Sequence, residues 1–324
     1  MKIQQATIAQ SNYSRVSTGF STAFRSSNPD KNINDTAQNK TSNTPLKLLV
    51  GGLAIGALIF GGIKLHKPAQ IKQTEKPLSD TEKLQNLCQT IFHREMTLDE
   101  TKDFAKRYKT ILEAKYDNDK MLCDRLIEEI CKDRQTKKPR INLFLESQNQ
   151  ANPLCINGLM STAPDGSYID IYAFNYKNTP NPIKGYFEDL FHETHHVKQN
   201  EIIYRTDKDA FLEKLINRVV NNGNGKMYKN VLQTTNGDEA KAMNIIEERL
   251  RNQMNYYWGK FEPFAKDSPE YKEGQKLIKG SKEYKFFYNC KNQEEYEAQI
   301  IEKGAYTDGK NAAKIFDLLT SGKF

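Results

Sequence analysis

The chain is poor in cysteine, and its few cysteines lack the spacing of a shared site. Five cysteines are scattered over 324 residues, and no two of them form a CxxC motif. They are Cys88, Cys123, Cys131, Cys155 and Cys290. An odd, sparse set in a long chain argues against a disulfide framework and against a cysteine-rich zinc site. We therefore expect free, buried thiols.

The part of the chain that follows residue 77 lacks an excess of charge. Residues 1–77 carry ten Lys or Arg and three Asp or Glu, which accounts for the entire net charge of +7. The 38 basic and 38 acidic residues that follow cancel one another. Nucleic-acid binders concentrate basic charge on the folded domain. We therefore expect no nucleic-acid partner.

Long apolar runs are absent except for one near the N-terminus. Residues 1–45 are rich in Ser, Thr, Asn and Gln, which predicts a disordered polar tail. Residues 46–65 are apolar apart from Lys47 and Lys64, whose positions near the two ends allow them to reach the headgroups. A helix of about 20 residues spans the roughly 30 Å of a bilayer core. The run predicts a transmembrane helix embedded in lipid and followed by a linker at 66–78.

The same run contains small residues at helical spacing. Gly52 and Gly56 form a GxxxG motif, which allows close helix pairing and a homo-oligomer. Lysines are denser after the run than before it, so the positive-inside rule favours a cytoplasmic catalytic domain on a single-pass membrane protein.

Three helices are predicted directly after the linker. Ser79 with Glu82, and Thr97 with Glu100, have the spacing of capping boxes that open two helices. Apolar residues at helical spacing predict a third helix within residues 119–134. We expect these helices to bury a common face as a segment, 79–138, that packs on a catalytic domain spanning 139–324.

Extended segments then interrupt the helical pattern. Ile141–Ser147 has the composition of a strand, and Asp165-Gly166 predicts the turn of a hairpin whose second strand is Tyr168–Phe174. Asn181-Pro182 predicts a helix start. Further helices are predicted at 207–221, 238–257, 269–288, 292–304 and 309–320. The fold class is therefore α+β, mostly helical, with a small antiparallel sheet.

Histidine is scarce, yet three of the five histidines lie in a stretch of only five residues, on the helix that is predicted to begin at Asn181. His192, Glu193 and His196 form H-E-x-x-H. Two imidazoles one helical turn apart can bind one Zn²⁺ ion, and the glutamate beside the first can take a proton from a metal-bound water. A polar helix with solvated histidines would not explain this clustering. His195 could replace either partner, but Glu193 would then lose its fixed offset, so we place His195 outside the ligand set.

This motif resembles that of the zincin metallopeptidases. No glycine or histidine extends it as in metzincins, so the third ligand is expected to be a later acid, as in gluzincins. Residues 292–306 resemble the E-x-x-A-D helix of gluzincins similar to the membrane-embedded peptidases that process prenylated proteins. Aligned on Ala298, the resemblance assigns the ligand to Glu295, with Gln299 in place of the aspartate. Helical periodicity points instead to Glu294 or Glu297.

The resemblance implies a zincin-like domain, one Zn²⁺ ion, a peptide or protein substrate, and hydrolysis with Glu193 as general base. His192, His196 and Glu295 would hold the metal. The competing interpretation is a catalytically inactive zincin-like module that binds a peptide or holds zinc structurally. The presence of Glu193 at the correct spacing favours the enzyme.

Overall fold

The computed structural model describes most of the chain from residue 77 onward. The described residues are 77–144, 160–173, 176, 179–221, 226–285, 289–322 and 324. The predicted polar tail, apolar run, GxxxG pair and most of the linker lie outside them, as does Cys155.

None of the helices in the described ranges combines the length and the apolar character needed to cross a bilayer. This finding contradicts the predicted localisation as a single-pass membrane protein. The prediction rested on residues 46–65, which are not among the described residues.

The N-terminal helices form as the capping patterns predict. They are α1 (Asp80–Phe92), α2 (Leu98–Glu113) and α3 (Asp119–Asp133). Ser79 and Thr97 each form a complete capping box. The side chain of the cap residue accepts a hydrogen bond from the backbone of the glutamate three residues later, and that glutamate's side chain accepts one from the backbone of the cap residue. Three of the cysteines, at positions 88, 123 and 131, are free and buried in these helices, which confirms the expected buried thiols.

The sheet has three short strands: β1 (Arg140–Phe144), β2 (Met160–Thr162) and β3 (Tyr168–Tyr172). The hairpin prediction is confirmed, because β2 and β3 are antiparallel and Gly166 takes a positive φ of 76° in the turn. However, β1 pairs with β3 in parallel, so the strand order is β1-β3-β2 and the sheet is mixed. The prediction of an antiparallel sheet was wrong. A hairpin turn fixes the direction of its own two strands only, and β1 is not joined to β3 by that turn.

The rest of the described chain is helical. The helices are α4 (Pro182–Thr206), α5 (Lys208–Asn221), α6 (Lys226–Thr234), α7 (Glu239–Trp258), α8 (Pro269–Lys282), α9 (Gln293–Glu297) and α10 (Ile300–Thr320). Helix α6 was not predicted. The predicted helices 292–304 and 309–320 are divided differently, because the break falls at 298–299 and α10 then continues without interruption.

Helix α4 lies at the centre of the molecule. It packs against α10 most extensively and also against α3, α5, α8 and β2. Residues Leu78–Phe324 belong to one compact unit, and the predicted segments 79–138 and 139–324 contribute to a single buried core. The helix that carries the histidine motif is therefore held on several sides, which fixes its side chains relative to those of α10.

Candidate metal centre

Helix α4 begins as its sequence dictates and carries the motif through its middle. Asn181 caps the helix by accepting a hydrogen bond from the backbone of Lys184, and Pro182 occupies the first turn. The helix is 25 residues long and places His192 and His196 one turn apart, with both rings turned towards α10. His192 and Glu193 are buried, at 6% and 1% exposure.

Three potential ligand atoms converge between α4 and α10. The Nε2 atoms of His192 and His196 are 3.2 Å apart. Glu302 places its Oε2 atom 3.5 Å from Nε2 of His196 and 3.8 Å from Nε2 of His192. A tetrahedral zinc ion with ligand bonds of about 2.0–2.1 Å requires ligand atoms roughly 3.3 Å apart. The observed separations fit such an ion.

Neighbouring groups orient these ligands. Gln199 faces Nδ1 of His196 through its Oε1 atom at 2.9 Å, which favours the tautomer whose Nε2 lone pair is free for a metal. Tyr296 and Tyr284 donate to the Oε1 atom of Glu302 at 2.9 and 3.1 Å. The other carboxylate oxygen of Glu302 is buried and has no hydrogen-bond partner in the described part of the chain. A buried carboxylate oxygen without a partner is costly unless a cation or proton fills the gap.

Glu193 is held by the sheet rather than by the other motif residues. Its Oε2 atom accepts hydrogen bonds from the backbone N–H of Thr162 at 2.8 Å and from the Thr162 hydroxyl at 2.7 Å. Its Oε1 atom is buried, and no described residue bonds it. The carboxylate is thus anchored through one oxygen, while the second stays available for a proton from a substrate or water.

Burial and mutual charge set the protonation of the centre. Burial and repulsion from His196 lower the pKa of His192 to about 3, so its imidazole is neutral at pH 7. Burial raises the pKa of Glu193. Burial also opposes ionisation of Glu302, but attraction to His196 and hydrogen bonding outweigh it and lower the pKa of Glu302 to about 2. His192 and Glu302 are thus in the forms that bind a metal ion. Burial opposes the charging of His196, but attraction to Glu302 outweighs it and raises the pKa of His196, so a metal ion would have to displace a proton there.

The acid assigned from the resemblance lies elsewhere. Glu295 accepts hydrogen bonds from Lys285 at 3.1 Å and from the backbone N–H of Lys291 at 2.8 Å, and its side chain is one-third exposed. Of the two neighbours, Glu297 is paired with Lys310 at 2.8 Å. The structure therefore does not bring Glu295 to the histidine pair, and Glu302 occupies the third position instead.

His195 faces a different set of groups. Its Nδ1 atom lies 2.7 Å from Oδ2 of Asp308 on α10, and that same oxygen accepts a hydrogen bond from Arg134 at 2.7 Å. His93 also lies close enough to complete a second group of three potential ligands. The guanidinium already neutralises Asp308, so a second cation at this carboxylate is disfavoured. His195 therefore does not belong to the group formed by His192, His196 and Glu302, and its exclusion from the ligand set stays a prediction.

A tyrosine and a cleft also border the three potential ligands. Tyr306 packs its ring against that of His192, with centroids 4.7 Å apart, and its hydroxyl is buried without a described partner. A cleft of about 50 Å³ opens beside Glu193, His196 and Glu302 and is lined on the sheet side by Thr162 and Ala163. The site therefore combines convergent ligands, a positioned carboxylate, a free hydroxyl and an edge strand.

Comparison with known proteins gives no assignment. No protein-family model, curated protein or solved structure matches the chain.

Proposed function

We propose that this chain is a zinc-dependent metallohydrolase of the gluzincin type, and specifically a peptidase. The observation that carries the proposal is the convergence of His192, His196 and Glu302, in which the buried oxygen of Glu302 faces the two imidazoles and has no hydrogen-bond partner among the described residues. This set of two imidazoles and one carboxylate is the ligand set of catalytic zinc sites that keep a fourth position open.

A zinc ion held there would supply a Lewis acid that polarises a carbonyl and acidifies a water molecule. Glu193 would accept the proton through Oε1, because Thr162 holds its other oxygen. Glu193 would then return the proton to the leaving amine. The Tyr306 hydroxyl is the group we assign to the developing oxyanion, since it is buried beside His192 and unbonded among the described residues.

A peptide is the proposed substrate because a strand edge borders the centre. Among the described strands, in the order β1-β3-β2, strand β2 lies at an edge, and its Thr162 and the following Ala163 line the cleft. An extended peptide can add to such an edge through main-chain hydrogen bonds. The bond between Thr162 and Glu193 would place that peptide next to the general base.

The decisive variant is Glu193→Gln in the full-length chain. Glutamine keeps the shape of the side chain and loses its basicity, so we expect zinc to remain bound while hydrolysis of an unbiased peptide library falls below detection. Metal content and library cleavage are measured together on parent and variant. Wild-type turnover by the glutamine variant would refute this mechanism. A parent that binds zinc stoichiometrically and cleaves nothing would favour the inactive binding module.

A further inference from the structure

Two cations line the same cleft as the proposed catalytic groups. Lys214 and Arg218 lie one turn apart on α5, and both border the cavity that Glu193, His196 and Glu302 border. Like charges at this spacing on a helix repel one another. Their placement beside an open site therefore needs a physical reason.

Lys214 is held by neutral oxygens. Its ammonium donates to Oδ1 of Asn200 and to the backbone carbonyl of Pro164, the latter at 3.4 Å. No ion pair joins it to an acid in the part of the chain that the structure describes. Burial and the neighbouring Arg218 lower the pKa of Lys214 to about 7, and attraction to Asp165 only partly opposes them. An anion beside it would supply the missing charge.

Arg218 is linked to the metal centre through one tyrosine. Its guanidinium lies over the ring of Tyr284, 4.5 Å from the centroid, and the hydroxyl of that tyrosine donates to Oε1 of Glu302 at 3.1 Å. Both cations therefore border the same cleft as His196 and Glu302.

We propose that Lys214 and Arg218 form a carboxylate-binding subsite of this cleft. This inference rests on the proposed peptidase function and defines its substrate class, namely peptides that carry a carboxylate close to the cleaved bond. The cavity, at about 50 Å³, has room for a carboxylate-sized group, because on this measure a single water needs only about 10–15 Å³.

The spacing of residues along α4 indicates how far that carboxylate lies from the cleaved bond of the peptide. Lys214 contacts Asn200, which is four residues after His196. Four helical residues advance about 6 Å along the axis. An extended peptide advances about 3.3 Å per residue. The carboxylate therefore belongs one or two residues from the cleaved bond, either as a free C-terminus or as an acidic side chain.

The test measures binding separately from hydrolysis. Acetyl-Ala-Ala and its amide are titrated calorimetrically into the full-length Glu193→Gln variant, both zinc-loaded and metal-free. We expect the acid to bind at least tenfold more tightly than the amide in both forms. Lys214→Met and Arg218→Met should each abolish this difference, whereas Lys208→Met, at an exposed position of α5, should preserve it. Two separate variants guard against misfolding of one, and circular dichroism checks each.

Further probes separate the two sources of the carboxylate. Amidated peptides with Asp or Asn at a single position near the cleaved bond report on an acidic side chain, and the acid and amide pair reports on a C-terminus. The subsite proposal would be overturned if the charged and the neutral peptide of each pair bound equally well. It would also be overturned if the preference for the charged peptide survived both Lys214→Met and Arg218→Met. If zinc does not bind but the metal-free protein still discriminates acid from amide, the peptidase proposal fails and the subsite stands.

Discussion

Helices α4 and α10 face each other at two histidine sites. At the first site, His192 and His196 meet Glu302, one of whose carboxylate oxygens has no hydrogen-bond partner among the described residues. At the second, His195 meets Asp308, whose oxygen is already shared with Arg134. The acid is a glutamate at the first site and an aspartate at the second, and a guanidinium is present only at the second. Arg134 thus compensates the charge of Asp308, whereas no Lys or Arg pairs with Glu302 in the described part of the chain.

Removing the proposed zinc ligands tests the difference between the two histidine sites most strongly. His192→Ala, His196→Ala and Glu302→Ala should each weaken zinc binding well beyond the roughly 10–100-fold that loss of an outer partner costs. His195→Ala and Glu295→Ala should retain zinc, because their side chains bond to other groups. Competition with a chromophoric chelator measures the affinities on the full-length chain. Loss of zinc in Glu295→Ala with retention in Glu302→Ala would return the third position to Glu295.

The sequence predicts the hairpin, most helix starts and the position of His192, Glu193 and His196 on one helix, because each depends on local spacing or capping. The approach of Glu302 to the two histidines was not predicted, for a different reason. The predicted break between 304 and 309 hid the continuity of α10, along which Glu302 and Asp308 lie on the buried stripe with Ile301, Ala305 and Ala312. Two acids on an otherwise apolar stripe are the signal that a continuous helix would have exposed.

Gly304 stands at the predicted end of the first of these two helices. A Cβ atom on Gly304 would lie 2.5 Å from Nε2 of His195, so this residue is small to permit close approach to α4 rather than to end a helix. Such a reason is visible only after the partner helix is in place. The parallel pairing of β1 with β3 is equally non-local and escaped prediction for the same reason.

The second site should fail as a structural unit when its guanidinium is removed. Arg134 also donates to the carbonyl oxygens of Ile91 and Phe191, so it links α1, α4 and α10. Arg134→Met leaves the buried carboxylate of Asp308 uncompensated and should lower the free energy of unfolding by about 3–5 kcal/mol. Urea unfolding measures the loss. Adding Asp308→Asn should recover part of it, and additive losses in the double variant would contradict the pairing.

A smaller loss of stability is expected when the close packing of α4 against α10 is disturbed. Gly304→Ala forces a methyl group into the ring of His195, which its bond to Asp308 holds in place. We expect a loss of about 1–3 kcal/mol in the free energy of unfolding, the usual range for overpacking. Lys303→Ala, exposed on the same helix, is the matched control and should change stability by less than about 0.5 kcal/mol. Equal stability of the two variants would show that α10 shifts without cost.

The smallest effect is expected where the sheet holds the base. Thr162→Val removes the hydroxyl that bonds Glu193 and keeps the backbone N–H that also bonds it. The loss of one hydrogen bond to a charged group is worth about 1.5–3 kcal/mol at most, and the remaining bond should limit the fall in turnover to about tenfold. Zinc affinity should not change, because Thr162 does not contact the ligands of the proposed centre.

The pH profile of the same variant separates positioning from general damage. Burial raises the pKa of Glu193, and the Thr162 hydroxyl partly offsets this by bonding the charged form. Removing the hydroxyl therefore raises that pKa further. A general base must be ionised, so the acidic limb of the activity profile should move to higher pH in Thr162→Val. Thr162→Ser retains the hydroxyl and should keep the parental limb. A fall in turnover in Thr162→Val with no movement of that limb would mean that the threonine supports the fold rather than the base.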